Sequence, residues 1–124
     1  MSLRRLSQLQ WIGLLAGGTI WWTEYLAGIA ESQVRCNSAS GKWGLPHDAI
    51  QIGFGAFAGT IVLVALAASA IVFRETRDHE EHDPPPHGRL HFFSAAALAG
   101  NVIFLIIIIL TTVGTVVDRT CHVA

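Results

Sequence analysis

The side chains best suited to chemistry lie just beyond the ends of long apolar segments. Cys36 and Cys121 are the only cysteines in this chain of 124 residues. His122 follows the second cysteine directly, and His47 lies in the same polar segment as the first. These four side chains are ligand types that Cu(I) and Zn(II) accept. In an oxidising compartment we expect a disulfide between the two thiols instead, because paired thiols there stay oxidised.

Glu24 is the only acidic or basic residue between Leu9 and Ala30. A carboxylate at membrane depth is costly, so by default it suggests proton movement or a buried cationic partner. The neighbouring Trp21, Trp22 and Tyr25 resemble the aromatic belt of a membrane interface, where a carboxylate can reach water. We expect the interfacial arrangement.

The segment from Arg74 to His91 is the strongly charged part of the chain. It has divalent-metal ligand types in a row, but a solvated charged loop has the same composition, and we expect the loop. A triple proline at 84–86 cannot continue a helix. The row of ligand types consists of His79, Glu80, Glu81, His82 and Asp83.

The composition is that of a membrane protein, with 52% hydrophobic and 14% charged residues. The segments Ala49–Phe73 and Phe92–Val117 contain no ionisable residue, and each exceeds the roughly 20 residues that cross a bilayer. Residues 9–30 form a weaker third span. Arg4 and Arg5 ahead of an apolar run also fit a signal peptide, but we expect a retained first helix.

We therefore predict an all-α fold, a three-helix transmembrane bundle, with helices at about 9–30, 49–73 and 92–117. The whole chain, 1–124, forms one membrane domain. The loop 74–91 is cytoplasmic and the loop 31–48 external, because five arginines share the side of the N-terminus while three basic residues lie opposite. The N-terminus is then cytoplasmic and the C-terminus periplasmic, which places both cysteines on the external face of a bacterial inner membrane.

Small residues one helical turn apart recur in every predicted helix and would allow close backbone approach. The frequent occurrence of Gly and Ala in membrane helices is an equally good explanation. Asn101 is the polar residue of the third helix, and we expect it to make an interhelical or intersubunit hydrogen bond. The predicted packing residues are Gly13, Gly17, Gly55, Gly59, Ala96 and Gly100.

No sequence pattern for a catalytic centre or a resident haem is evident. None of the six histidines lies within a predicted span, and there is no C-x-x-C-H sequence. A nucleophile with a base, a phosphate-binding glycine loop and paired catalytic carboxylates are also missing. We expect a chain that is not an enzyme by itself and that does not bind nucleic acid, since its net charge is only −1.

Both ends of the chain resemble a known family. The run Ile12–Gly17 with Trp21 and Trp22, followed by Cys36, and the run Asn101–Leu105, followed by Cys121, resemble small membrane proteins associated with bacterial haem-copper cytochrome c oxidases, especially of the caa3 type. The resemblance implies an accessory or assembly role in a respiratory complex. Haem and copper would then belong to partner subunits.

The expected function is a non-catalytic accessory subunit that docks on other membrane subunits and on lipid, most plausibly in a cytochrome c oxidase. Two alternatives remain open. One is a copper metallochaperone that uses Cys36, Cys121, His122 and His47. The other is a small proton- or solute-conducting oligomer centred on Glu24.

Overall fold

The computed structural model describes residues 1–37, 44–80 and 82–117, and all regular structure within these ranges is helical. Helix α1 covers Leu3–Arg35, α2 covers His47–Glu75 and α3 covers His87–Val117. Each helix extends beyond its predicted bounds, because a hydropathy profile reports the apolar stretch, while the hydrogen-bonded backbone continues through polar flanking residues. The 33 residues of α1 give it a length of about 50 Å.

The C-terminus of α2 lies two residues beyond its predicted end at residue 73. The helix ends at Glu75, and the side-chain hydroxyl of Thr76 donates to the Val72 carbonyl at 2.8 Å. A threonine hydroxyl that occupies a nearby carbonyl competes with the helical backbone. The chain therefore leaves the helix well before the prolines.

Helix α3 begins directly after the triple proline. The Leu90 N–H donates to the Pro86 carbonyl at 3.0 Å, so Pro86 serves as the residue before the first turn. Proline is tolerated there because the first helical N–H groups need no intrahelical acceptor. The prolines thus set the start of α3.

Helices α2 and α3 are long and apolar enough to cross a membrane. Helix α1 is less hydrophobic, because glycines, tryptophans and Glu24 occupy its middle. An all-helical fold with two candidate membrane spans is therefore what the described residues support.

Helix α2 runs antiparallel to α1 and α3, and the three helices contact one another along their lengths. One apolar cluster lies at the N-terminal end of α1, where Leu6, Val72 and Leu90 are buried together. A second cluster, here called the central plug, fills the middle of the bundle. It consists of Ala58, Val62 and Ile108 with Ile20, Trp21, Phe104 and Leu105 packed against them.

The outward faces of all three helices are apolar. Large hydrophobic side chains that would be buried in a soluble domain are exposed along the full bundle. They include Trp11, Leu15 and Trp22 on α1, Phe54, Phe57 and Val64 on α2, and Ile103, Ile106, Ile109 and Leu110 on α3.

Candidate functional site

A buried polar contact joins the three helices on the N-terminal side of the central plug. The Asn101 amide of α3 donates to the Gly13 carbonyl of α1 at 2.7 Å and lies 3.4 Å from the Ser69 hydroxyl of α2. Asn101 and Ser69 are fully buried. We call these three residues the Asn101 node, and it provides the interhelical hydrogen bond expected of Asn101.

Two of the predicted packing glycines lie where the helices touch. A Cβ atom on Gly13 would collide with the Ser69 side chain and lie 3.2 Å from the Ala65 carbonyl, and one on Gly17 would collide with the Asn101 side chain. Any larger residue would therefore push α1 away from its neighbours. These contacts lie within one chain.

The other predicted packing residues are placed less uniformly. Gly55 is buried under Thr112 of α3, and a Cβ atom there would collide with it. Gly59 is half-buried, with Leu105 4.0 Å from its Cβ position, and the nearest neighbour of Gly100 is Phe104 of its own helix. Ala96 is exposed on the outer face of α3.

Glu24 lies inside the bundle, although its neighbours suggested an interfacial position. Its side chain is 2% exposed, while Trp22 and Tyr25 are 54% and 45% exposed. Its carboxylate oxygens lie 3.4 and 3.5 Å from the Thr111 hydroxyl of α3. Trp22 and Tyr25 therefore face outward, whereas Trp21 packs in the central plug.

The helical period explains this placement. The buried residues of α1 are Leu6, Gln10, Gly13, Gly17 and Glu24, and the intervals between them are those of one helix face. Glu24 thus lies on the same face as both packing glycines.

Glu24 lies at the deepest level of an open cleft between the helices. The cleft has a volume of about 240 Å³ and is lined by residues of all three helices. We call it the Glu24 cleft. Its lining residues are Glu24, Tyr25, Gly28, Ile29 and Ser32 of α1, Gln51 of α2, and Thr111 and Thr115 of α3.

Charged side chains lie at the end of the bundle formed by the C-termini of α1 and α3 and the N-terminus of α2. The Arg35 guanidinium donates to Asp48 at 3.3 Å and to the Thr115 carbonyl at 3.4 Å. His47 Nδ1 lies 2.8 Å from the Glu31 carboxylate. We call Glu31, Arg35, His47 and Asp48 the Arg35 cluster, and it links the end of α1 to the start of α2 and the end of α3.

The four soft-metal candidates cannot be compared as a set. Cys36 follows α1 directly, and its N–H donates to the Ser32 carbonyl at 3.0 Å, whereas Cys121 and His122 lie outside the described residues. His47 contacts Glu31. The predicted disulfide and the alternative copper site therefore both stay predictions.

His79 makes two contacts within the charged segment at the opposite end of the bundle. His79 Nδ1 lies 3.2 Å from the Asp83 carboxylate, and its ring stacks on His87 with centroids 4.4 Å apart. Glu81 lies outside the described residues. Within residues 1–37, 44–80 and 82–117, no three metal-binding side chains converge.

Sequence reasoning missed the uncharged polar partners. The hydropathy pattern placed four polar residues within apolar spans, yet each of them faces a neighbouring helix. These residues are Gln51, Ser69, Thr111 and Thr115. Two threonines four residues apart in an isoleucine-rich helix share one face, which was the available signal.

Comparisons of this chain with known protein families, with curated proteins and with solved structures found no match.

Proposed function

We propose that this chain is a non-catalytic accessory subunit of a multi-subunit respiratory membrane oxidoreductase, with a haem-copper cytochrome c oxidase as the first candidate. The proposal includes three membrane spans, a cytoplasmic N-terminus and a bacterial inner membrane. The observation that carries it is the apolar outer surface of all three helices. Such a surface needs lipid or other membrane helices as its surroundings.

The distribution of contacts supports three spans even though α1 is the least hydrophobic helix. Its buried face carries Gln10, Gly13 and Glu24, while Trp11, Leu15 and Leu26 on its other faces are exposed. Polar residues that face the bundle interior are the arrangement expected of a membrane helix. Mean hydropathy understates such a helix, because it counts inward and outward residues equally.

A groove between α2 and α3 is the proposed docking surface for a transmembrane helix of another subunit. Gly59 lies half-buried along it, with Leu105 4.0 Å from its Cβ position, and the volume of the groove is about 360 Å³. A residue without a side chain allows a partner backbone to come close. Thr112 also lines the groove. Its buried side-chain hydroxyl has no hydrogen-bond partner among the described residues.

Copurification from the native membrane tests the accessory role. A tagged full-length chain would be extracted in mild detergent, its partners identified by mass spectrometry, and their haems by a reduced-minus-oxidised absorbance spectrum. We expect haem-bearing subunits in about stoichiometric amounts. Recovery of the chain only as a homo-oligomer would contradict the proposal.

Substitution in the groove tests the docking surface separately. Gly59→Leu should reduce recovery of the haem-bearing subunits severalfold, because the new side chain would occupy the groove. Among the described residues of the other helices, the nearest atom to the Cβ position is Leu105 Cδ1 at 4.0 Å. Gly114→Leu is the matched control on α3, since its Cβ position has no neighbour within 4 Å. Equal recovery with both variants would rule out this groove as the docking surface.

A further inference from the structure

We propose that Glu24 is a proton-binding site that exchanges protons through the Glu24 cleft with one side of the bundle only, the side of the Arg35 cluster. The proposal rests on the cleft and its hydrogen bonds, so it does not depend on which complex the chain joins. The ligand is a single proton. Binding forms the O–H bond of a carboxylic acid at Glu24 and neutralises one negative charge, with no other bond made or broken.

The surroundings of Glu24 favour a proton over a permanent partner. The side chain is 2% exposed, and no basic residue in the described part of the chain forms an ion pair with it. A carboxylate held in an apolar region without a counter-ion is stabilised by taking up a proton.

Thr111 can hydrogen-bond to both protonation states. Its hydroxyl lies 3.4 Å from the Glu24 carboxylate and 2.9 Å from the Ile107 carbonyl of its own helix. A hydroxyl can donate to one group while it accepts from another. Thr111 thus donates to the carboxylate, or accepts from the carboxylic acid while it donates to Ile107.

Polar groups lie at intervals between Glu24 and one end of the bundle, in a cleft whose lining is mainly apolar. Gln51 Nε2 lies 3.7 Å from the Cβ position of Gly28, one turn above Glu24 on α1. Thr115 lies one turn above Thr111 on α3, and its carbonyl accepts from Arg35. The helix rise places Glu31 of the Arg35 cluster about 10 Å above Glu24.

The central plug closes the opposite direction. Trp21, one turn below Glu24, stacks on Phe104 with ring centroids 5.5 Å apart. Ile108, one turn below Thr111, is 1% exposed, and Val62 is fully buried. The Asn101 node lies beyond these side chains, so the cleft ends at Glu24 and does not continue through the bundle.

Few other groups titrate near the site. The titratable side chain that lines the cleft besides Glu24 is Tyr25 of α1, while α2 contributes the uncharged Gln51 and α3 the uncharged Thr111 and Thr115. The charged groups nearest along the helices toward the end of the bundle are those of the Arg35 cluster, Glu31 and Arg35 of α1 and His47 and Asp48 of α2.

Carbodiimide labelling in vesicles tests the site and its sidedness. The full-length chain would be reconstituted in vesicles of phosphatidylcholine and phosphatidylglycerol and treated with dicyclohexylcarbodiimide, which modifies protonated carboxyl groups within membranes. The pH outside the vesicles is varied while the pH inside is held fixed. Trypsin is then added outside the vesicles to report the orientation of each molecule. It cleaves after Arg74 or Arg77 only where that end of the bundle faces the outside of the vesicle. Mass spectrometry then measures labelling of Glu24 for each orientation.

We expect Glu24 labelling to follow external pH only in molecules that are not cleaved after Arg74 or Arg77, in which the Arg35 cluster faces outward. Above the titration midpoint the labelling should fall about tenfold per pH unit, as for one protonating group. Labelling that follows the pH of the other side, follows both sides, or stays constant between about pH 5 and about pH 9 would overturn the proposal.

Two variants on α1 test the path. Gly28→Leu places a larger side chain in the cleft, and its Cβ atom would lie at an ordinary contact distance of 3.7 Å from Gln51 Nε2. This variant should slow the response of labelling to an external pH jump severalfold. Ala30 is exposed, so labelling of the Ala30→Leu variant should respond to the pH jump at the same rate as labelling of the unsubstituted chain. Equal rates in the two variants would overturn the path, and Glu24→Gln establishes the unlabelled background.

Discussion

Asn101 shows what one polar residue contributes to a bundle with little other polarity. Its place in an isoleucine-rich helix was enough to predict a hydrogen bond, because an amide in hydrocarbon needs a partner. Its partner could not be predicted, since the Gly13 carbonyl is one of many backbone acceptors. The 2.7 Å contact also depends on Gly17, one turn further along α1, because a Cβ atom there would collide with the Asn101 side chain.

Removing this amide should destabilise the bundle more than removing the hydroxyl beside it. Interhelical hydrogen bonds in membranes average about 0.6 kcal/mol and reach about 1.7 kcal/mol. Asn101→Ala loses the 2.7 Å interhelical bond to Gly13. Ser69→Ala loses the 3.4 Å interhelical contact with Asn101 and a 2.9 Å bond to the Ala65 carbonyl of its own helix.

We expect Asn101→Ala to lower the free energy of unfolding by about 1 kcal/mol or more, and Ser69→Ala by less. Unfolding in mixed micelles with increasing dodecyl sulfate, followed by circular dichroism, measures both. Equal losses, or a larger loss for Ser69→Ala, would show that the Asn101 node contributes little to stability.

At the scale of the helices, α1 shows why the sequence predicted where a helix lies better than which face of the helix is buried. Hydropathy gave the positions of three helices, because long stretches without charge are visible in any window. It could not show that the inward face of α1 carries small and polar residues such as Gln10, Gly13 and Glu24. Only the positions of the other two helices decide which face of α1 is buried.

Neighbouring glycines on α1 differ in how closely the other helices approach them. A Cβ atom on Gly13 would lie 3.2 Å from the backbone carbonyl of Ala65 and collide with the Ser69 side chain, and backbone cannot move aside easily. A Cβ atom on Gly18 would lie 3.6 Å from Phe104, an ordinary contact. Alanine should therefore be destabilising at one position and favourable at the other.

We expect Gly13→Ala to lower the free energy of unfolding by about 1–3 kcal/mol, the usual cost of overpacking. Gly18→Ala should leave stability unchanged or raise it by up to about 1 kcal/mol, because alanine favours a helix over glycine. Thermal unfolding of the purified chain in detergent gives the comparison. A stable Gly13→Ala variant would mean that α1 packs less closely than described.

At the scale of the whole molecule, one contact supports the predicted position of the cysteines. The Arg35 side chain at the end of α1 donates to the Thr115 carbonyl near the end of α3 at 3.4 Å, so these two helix ends are neighbours. Cys36 follows Arg35 directly, and Cys121 comes four residues after the end of α3, outside the described residues. The helix ends that precede the two cysteines thus lie at the same end of the bundle.

Alkylation of the intact chain tests whether Cys36 and Cys121 form a disulfide. If they do, neither thiol should react with iodoacetamide in denaturant until a reductant is added, because thiols in an oxidising compartment persist as disulfides. Cys121→Ser should leave Cys36 fully reactive without reductant. Two reactive thiols that bind Cu(I) would instead favour the metallochaperone, because Cu(I) prefers thiolate ligands. An oxidised pair leaves that alternative without its sulfur ligands and agrees with a structural role at the shared end of α1 and α3.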